Sequence, residues 1–162
     1  MSHAARPRTR LISPTLRIRS PLISVKGNPH LLSRPAVAVV RARNASANGV
    51  RFARRLGSQL TEGGFVLISG LARGIDAAAH QGARSDGTAA VLTGGVDVVY
   101  PPENEKLYAD IVTSGVVISE VPPGTAPLTQ HFPRRNRLVS GAALGVVVVE
   151  AAARSARRSP PV

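Results

Sequence analysis

The feature that most constrains the fold of this chain is a regular alternation of short, mostly β-branched runs with longer helical segments. The runs predict strands at 36–40, 65–69, 88–92, 116–119 and 146–149. The stretches between them carry apolar residues at helical spacing and predict helices at 48–62, 74–84, 104–112 and 133–143. Strands that alternate with helices are typical of a mostly parallel sheet with helices on both faces. The sequence therefore predicts an α/β fold, a three-layer α/β/α domain.

Composition excludes several classes of site. The chain has no cysteine, which excludes disulfides, thiolate metal sites and thiol catalysis. Its four histidines, at positions 3, 30, 80 and 131, are too scattered to suggest a metal cluster. No apolar run reaches the roughly 18 residues of a membrane span, and no secretory segment follows Met1. We therefore expect a soluble intracellular protein with no metal and no membrane partner.

The net charge of +12 comes mostly from the two ends of the chain. Residues 1–35 hold seven basic residues and no acid, and residues 151–162 hold three and no acid. The middle, 36–150, holds eleven basic residues against nine acids. We interpret 1–21 as a disordered basic tail and 156–162 as an irregular basic tail, on either side of a domain at 22–155. An organelle transit peptide is the alternative for the first tail, although no amphipathic face is evident there.

The carboxyl ends of the predicted strands bring arginines, glycines and helix starts to one edge. Ligands of such sheets bind at that edge. Glycines let a backbone approach a phosphate, helix starts offer free N–H groups, and arginine forms a two-pronged contact with phosphate oxygens. The candidate phosphate-turn residues are Ser69, Gly70, Gly74, Gly94 and Gly95. Several such turns in a row favour a polyanion over one nucleotide, although Gly70 and Gly74 equally suit plain strand-to-helix turns.

The acids and the histidine near this edge have structural explanations beside catalytic ones. Asp76 lies in a first helical turn, where interaction with the helix dipole explains it at least as well as a role as catalytic base does. His80, one turn further on, is better explained as a surface or packed histidine. Glu120 and Glu150 end strands and could form an acid pair, but we prefer them as partners of the arginines. The dinucleotide and P-loop fingerprints are absent, which argues against an oxidoreductase or an NTPase of those types.

Residues 66–80, VLISGLARGIDAAAH, resemble the central signature of the DprA/Smf (DNA processing protein A) family. Further matching segments follow in the family's order. They are 94–97 with Tyr100-Pro101 and Asn104, 118–120, 132–137 and 148–151, with a lead-in at 26–28 and 31–32. The resemblance covers about residues 22–155 and is more specific than any single glycine pattern.

The resemblance implies a cytoplasmic protein with a Rossmann-like domain, which is not an enzyme and has no cofactor. It implies binding of single-stranded DNA at the arginine-rich edge, homodimers, and loading of the RecA recombinase during natural transformation. Transferred motif by motif, the DNA-binding candidates are Arg43, Arg73, Lys106, Arg134, Arg135 and Arg137. The last three cannot share one helix face, so we expect at least one of them to be structural or solvent-facing.

Two departures from the family pattern affect these expectations. Arg41 stands where the family usually has glycine, which adds a charge but crowds the turn. After Glu150 the family's helix start is replaced by the sequence ARRSPPV at 156–162, which predicts that the C-terminal part of the fold and any winged-helix domain are missing. Because the family's self-association surface lies largely in that part, we expect weak self-association or none.

Two other interpretations remain open. One is a nucleotide-processing enzyme of the phosphoribohydrolase (lysine-decarboxylase-like) type, which shares the general fold. Its Pro-Gly-Gly-x-Gly-Thr turn is absent, and residues 93–96, TGGV, are the nearest approach. The other is an inactive fragment of a DprA gene.

Overall fold

The structure, a computed structural model, describes residues 8–9, 22–41 and 46–149. Its strands are β1 (Arg8–Thr9), β2 (Ser24–Gly27), β3 (Ala36–Arg41), β4 (Val66–Ser69), β5 (Thr88–Val91), β6 (Val116–Ser119) and β7 (Gly145–Val149). Its helices are α1 (Ala47–Glu62), α2 (Ile75–Gly82), α3 (Glu105–Ser114) and α4 (Phe132–Ala142). Short 3-10 helices cover Pro29–Ser33, Pro102–Asn104 and Thr129–His131.

The described strands form one sheet in the order β1-β2-β6-β5-β4-β3-β7. Strands β3 to β7 run parallel, and β1 and β2 are antiparallel to their neighbours. The predicted α/β fold is confirmed, and the predicted strand and helix ends differ from the observed ones by at most two residues. Strand β2 was not predicted, because Ser-Val-Lys-Gly shows no β-branched run and its pairing with β6 is antiparallel. Apart from Arg8–Thr9, the predicted tail 1–21 lies outside the described residues, as does 150–162.

Alternation of side chains along each strand builds the three layers. On β4, Val66 and Ile68 pack with Leu138 and Val139 of α4, whereas Leu67 points to the opposite face. That opposite face is covered by α1 and α2 next to β3 and β4, and by α3 next to β5 and β6. Because successive strand side chains point to opposite faces, each central strand contributes to both apolar layers.

The path of the chain through the sheet creates a crevice at its carboxyl edge. From β3 the chain winds through β4, β5 and β6 with α1, α2 and α3 on one face. Helix α4 then lies on the other face, and β7 pairs with the free side of β3. Ligands of such sheets bind where the winding reverses, outside the strand ends. In this chain that point lies at the end of β3, next to the end of β4.

Candidate functional site

A cavity of about 160 Å³ opens at this point of the carboxyl edge. Its walls come from the ends of β3, β4 and β5, from the segment before α3 and from the start of α4. The lining residues are Arg41, Gly70, Ala72, Arg73, Thr93, Tyr100, Pro101, Phe132 and Arg135. We call this site the rim cavity. Three of its nine lining residues are arginines, so it is suited to an anion.

The floor of the rim cavity is the turn between β4 and α2. The Asp76 carboxylate accepts hydrogen bonds from the backbone N–H groups of Gly70 (3.1 Å) and Ala72 (3.3 Å). Gly74 precedes α2 with φ of 79°, and Leu71 has φ of 58°. The left-handed region favours glycine, so a leucine there must be held by its surroundings. The burial of the Leu71 side chain and the hydrogen bonds to Asp76 stabilise this turn conformation.

Arg135 reaches from α4 into this floor and is 9% exposed. Its Nη1 donates a hydrogen bond to the Gly70 carbonyl oxygen (2.7 Å) and lies 3.9 Å from Asp76 Oδ2. Burial lowers the pKa of Arg135, and the nearby positive charge of Arg41 lowers it further, while Asp76 opposes both effects. Burial likewise raises the pKa of Asp76, against the effect of Arg135 and the two N–H groups. Arg135 therefore supports the turn and also adds positive charge to the cavity.

Arg73 stands at the mouth of the rim cavity and is exposed. Its Nε and Nη2 donate to the two carboxylate oxygens of Glu103 at 2.7 and 2.8 Å. The side chains are 65% and 55% exposed. The hydrogen bonds and charge of the pair raise the pKa of Arg73 and lower that of Glu103. Arg73 thus shows the two-pronged geometry that arginine uses for phosphate, with a carboxylate in that position.

The other predicted basic residues lie around the cavity rather than in it. Lys106 is exposed in the first turn of α3, and Arg134 and Arg137 are exposed on α4, whereas Arg135 points inward. The expectation that these three arginines could not share one face is confirmed. Arg43 lies outside the described residues.

The predicted phosphate-turn residues separate into two groups. Two of them lie at the cavity: Gly70 lines it, and Gly74 immediately precedes α2 beside it. The other three are buried in the packing, and the Ser69 hydroxyl donates a hydrogen bond to the Val39 carbonyl oxygen (2.6 Å). Gly94 and Gly95 are buried beneath the segment 122–127. A Cβ atom on either glycine would lie 2.8 Å from a backbone oxygen of that segment. Backbone packing therefore accounts for the absence of a side chain at these two positions.

Six of the nine residues that line the rim cavity were not predicted as site residues: Arg41, Ala72, Thr93, Tyr100, Pro101 and Phe132. The sequence indicated Arg41 as an added charge that crowds its turn, and Thr93 only as part of the segment TGGV at 93–96. Tyr100 and Phe132 were noted within motifs, yet the structure places both aromatic rings at the cavity. Tyr100 is 48% exposed, and the Phe132 ring centroid lies 5.6 Å from Cζ of Arg135. Each of these two motifs has an aromatic residue directly before a proline, and that shared pattern could have indicated them as cavity residues.

The histidine and the acids form no proton-transfer pair among the described residues. His80 is buried, and its Nδ1 lies 2.6 Å from Thr88 Oγ1. Burial lowers the pKa of His80 to about 3, so the ring is neutral at pH 7. Of the two structural explanations, a surface or a packed histidine, the structure shows the packed one. Glu120 is half-buried after β6, and Glu150 lies outside the described residues.

The described residues lack two other kinds of functional feature. None of the helices they form is both long and apolar enough to cross a membrane. They also contain no group of three or more histidines and acids that could hold a metal ion.

Comparison with protein families and curated proteins gives consistent matches. A family model described as DNA recombination-mediator protein A matches residues 11–157. DNA processing protein DprA of Streptococcus pneumoniae is 45% identical over 136 residues, which are 83% of this chain and 48% of that protein. Protein Smf of Escherichia coli is 42% identical over 134 residues, 81% of this chain and 36% of that protein. The chain thus spans about half, or less, of the length of these relatives.

Two solved structures share the fold. The X-ray structure of DNA processing protein A from Streptococcus pneumoniae has a TM-score of 0.72 at 43% sequence identity. The match covers 83% of this chain and 48% of the Streptococcus pneumoniae chain. DNA processing protein A from Helicobacter pylori has a TM-score of 0.80 at 26% sequence identity. The match covers 87% of this chain and 67% of the Helicobacter pylori chain. The work on the Helicobacter pylori protein concerns how it binds single-stranded DNA.

Proposed function

This chain belongs to the DNA recombination-mediator protein A family, and we propose from that premise that it binds single-stranded DNA along its rim and assists the loading of a RecA recombinase onto that DNA. The observation that carries the proposal is the convergence of Arg41, Arg73 and Arg135 on one cavity. We place this role in DNA uptake, natural transformation and recombination, in the cytoplasm. The matched part of this chain spans less than half of these curated relatives, so these assignments are proposals for the part that this chain contains.

The charges of the rim cavity favour a phosphate. Arg41 and Arg135 are close enough for the charge of Arg41 to lower the pKa of Arg135. A phosphate between them would relieve that repulsion. Arginine forks also match phosphate oxygens in geometry. The exposed Lys106, Arg134 and Arg137 lie on the two helices beside the cavity and offer further phosphate contacts. A strand with several phosphates therefore fits this edge better than one nucleotide does.

The aromatic rings favour a single strand over a duplex. Tyr100 and Phe132 are two of the five aromatic residues in the chain, and both line the rim cavity. Unpaired bases can stack on such rings, whereas the base faces of a duplex are covered by their neighbours. Stacking on any base is tolerated, so little sequence preference is expected.

Fluorescence anisotropy with a labelled oligothymidylate and a duplex of equal length, at several salt concentrations, tests the proposal. Arg73→Ala should weaken binding of the single strand and reduce the magnitude of the salt slope by about 0.7, the value for one phosphate contact in a single strand. Arg84→Ala is the matched control. Arg84 is also exposed and is also paired with an acid, Asp86 at 3.2 Å, but it lies before β5 at the opposite edge. Equal affinity for both DNA forms, or equal losses in both variants, would contradict the proposal.

We further infer that the chain is not an enzyme and uses no cofactor. Asp76 is engaged by two backbone N–H groups and His80 is neutral and buried, which leaves neither suited to general base catalysis. Incubation with nucleoside monophosphates followed by chromatography should release no free base. Turnover that disappears in Glu120→Gln would instead support the phosphoribohydrolase alternative. Absence of both DNA binding and turnover would support the inactive-fragment alternative.

The recombinase partner has its own assay. RecA hydrolyses ATP once it has assembled on single-stranded DNA, so the lag before hydrolysis on DNA coated with a single-strand binding protein should shorten when this chain is added. An unchanged lag, with DNA binding intact, would restrict the proposed role to DNA binding.

A further inference from the structure

The contact between Arg73 and Glu103 places a carboxylate on the arginine fork at the mouth of the rim cavity. Both carboxylate oxygens are bonded, at 2.7 and 2.8 Å, in the two-pronged arrangement that a phosphate would also adopt. A phosphate cannot take both prongs of Arg73 while Glu103 holds them. The two ligands therefore compete for the same donors.

The position of Glu103 is held by a second contact between the same two segments. Asn104 Nδ2 donates a hydrogen bond to the Leu71 carbonyl oxygen (2.9 Å). This bond ties the segment before α3 to the turn that carries Arg73. Tyr100 and Pro101 of the same segment line the rim cavity. The backbone of the acid is thus anchored next to the turn that carries the arginine.

We propose that Glu103 is an internal competitor for phosphate, and that binding of a DNA strand exchanges the Glu103 carboxylate for a strand phosphate on Arg73. This inference rests on the proposed function, since it assigns the contact that the strand must replace. The exchange weakens binding of any single phosphate. A strand that also contacts Arg41 and neighbouring basic residues can still displace the carboxylate. Glu103 therefore favours polymeric ligands over free phosphate or mononucleotides.

The test compares Glu103→Gln with Glu105→Gln in the full chain. Both acids are exposed and lie two residues apart, so the two changes remove the same charge from the same region. Of the two, only Glu103 forms an ion pair among the described residues, so only its change frees an arginine. For a labelled oligothymidylate, Glu103→Gln should tighten binding by about threefold to fivefold, the upper range for an exposed ion pair. Glu105→Gln should have a clearly smaller effect. Equal effects of the two changes would overturn the proposal.

A double-mutant cycle with Arg73 identifies the group on which Glu103 acts. In an Arg73→Ala background, Glu103→Gln should have only the small effect of Glu105→Gln, because the shared donor is gone. A full gain in that background would show that Glu103 acts through general charge repulsion and would also overturn the proposal.

Failure of the proposed function can be distinguished from failure of the exchange. If the unaltered chain shows no preference for single-stranded DNA, the proposed function fails. The exchange is then measured with inorganic phosphate, through the NMR signal of the Arg73 Nε–H group. That signal should shift at lower phosphate concentration in Glu103→Gln than in Glu105→Gln, and identical titrations would refute the exchange.

Discussion

Replacement of Gly70 by alanine tests how closely the rim turn and α4 are packed. An ideal Cβ on Gly70 would lie 1.6 Å from Arg135 Nη1, 2.4 Å from Arg135 Cζ and 2.9 Å from Asp76 Oδ2. Asp76 is hydrogen-bonded to the same turn, so the guanidinium is the group that must move. Gly70→Ala therefore breaks the hydrogen bond from Arg135 to the Gly70 carbonyl oxygen.

The expected cost follows from these contacts. Loss of a hydrogen bond from a charged donor costs about 1.5–3 kcal/mol. Forcing an extra methyl group into a packed site costs about 1–3 kcal/mol. Alanine also restricts the unfolded chain, which offsets about 0.4–1 kcal/mol. We expect the free energy of unfolding to fall by about 3 kcal/mol.

Urea unfolding followed by circular dichroism measures this change. Gly145→Ala is the matched control, because a Cβ atom on Gly145 in β7 would meet no heavy atom within 4 Å. Its effect should stay below about 0.5 kcal/mol. A similarly small effect of Gly70→Ala would refute the reasoning. So would an undiminished cost of Gly70→Ala in an Arg135→Ala background, where the clashing group is absent.

Three further predictions concern acid stability, self-association and the chain ends. Because the folded pKa of His80 is about 3 and the ordinary value is 6.5, the unfolded chain takes up a proton first as the pH falls. The free energy of unfolding should then fall by up to about 1.4 kcal/mol per pH unit below about pH 6.5. Urea unfolding at pH 7 and pH 5 measures this fall. The same pH dependence in His80→Gln would contradict the prediction. Val148, 54% exposed on β7 at the edge of the described sheet, should promote aggregation rather than a defined dimer. In light scattering during gel filtration Val148→Lys should reduce that aggregation, and a monodisperse dimer of the unaltered chain at micromolar concentration would be the opposite outcome. Arg73→Ala should cost more affinity for single-stranded DNA than Arg8→Ala, since Arg73 lines the rim cavity, whereas Arg8 lies on β1 at the far side of the sheet from β3 and β4. Equal losses in anisotropy would mean that the N-terminal end of the chain also binds the DNA.

Most of the fold was predictable because its signals are local. Each of the strands β3 to β6 is a run of four to six residues followed by a connecting segment and a helix, and that order can be read without knowing any distant contact. The same order placed Gly70, Arg73 and Gly74 at the carboxyl edge, since they directly follow β4. The motifs also indicated the right segments for the cavity walls, 100–104 and 132–137.

Only the tertiary structure decided which of these residues act together. The spacing of Arg134, Arg135 and Arg137 shows that they cannot share a face, but the packing of α4 on the sheet turns Arg135 inward to Gly70, 65 residues away. Packing likewise placed Glu103 against Arg73, 30 residues away. A periodic pattern reports which face of an element is apolar. It does not report which element that face meets, and that partner determines whether an arginine supports a turn, pairs with an acid or stays free for a phosphate.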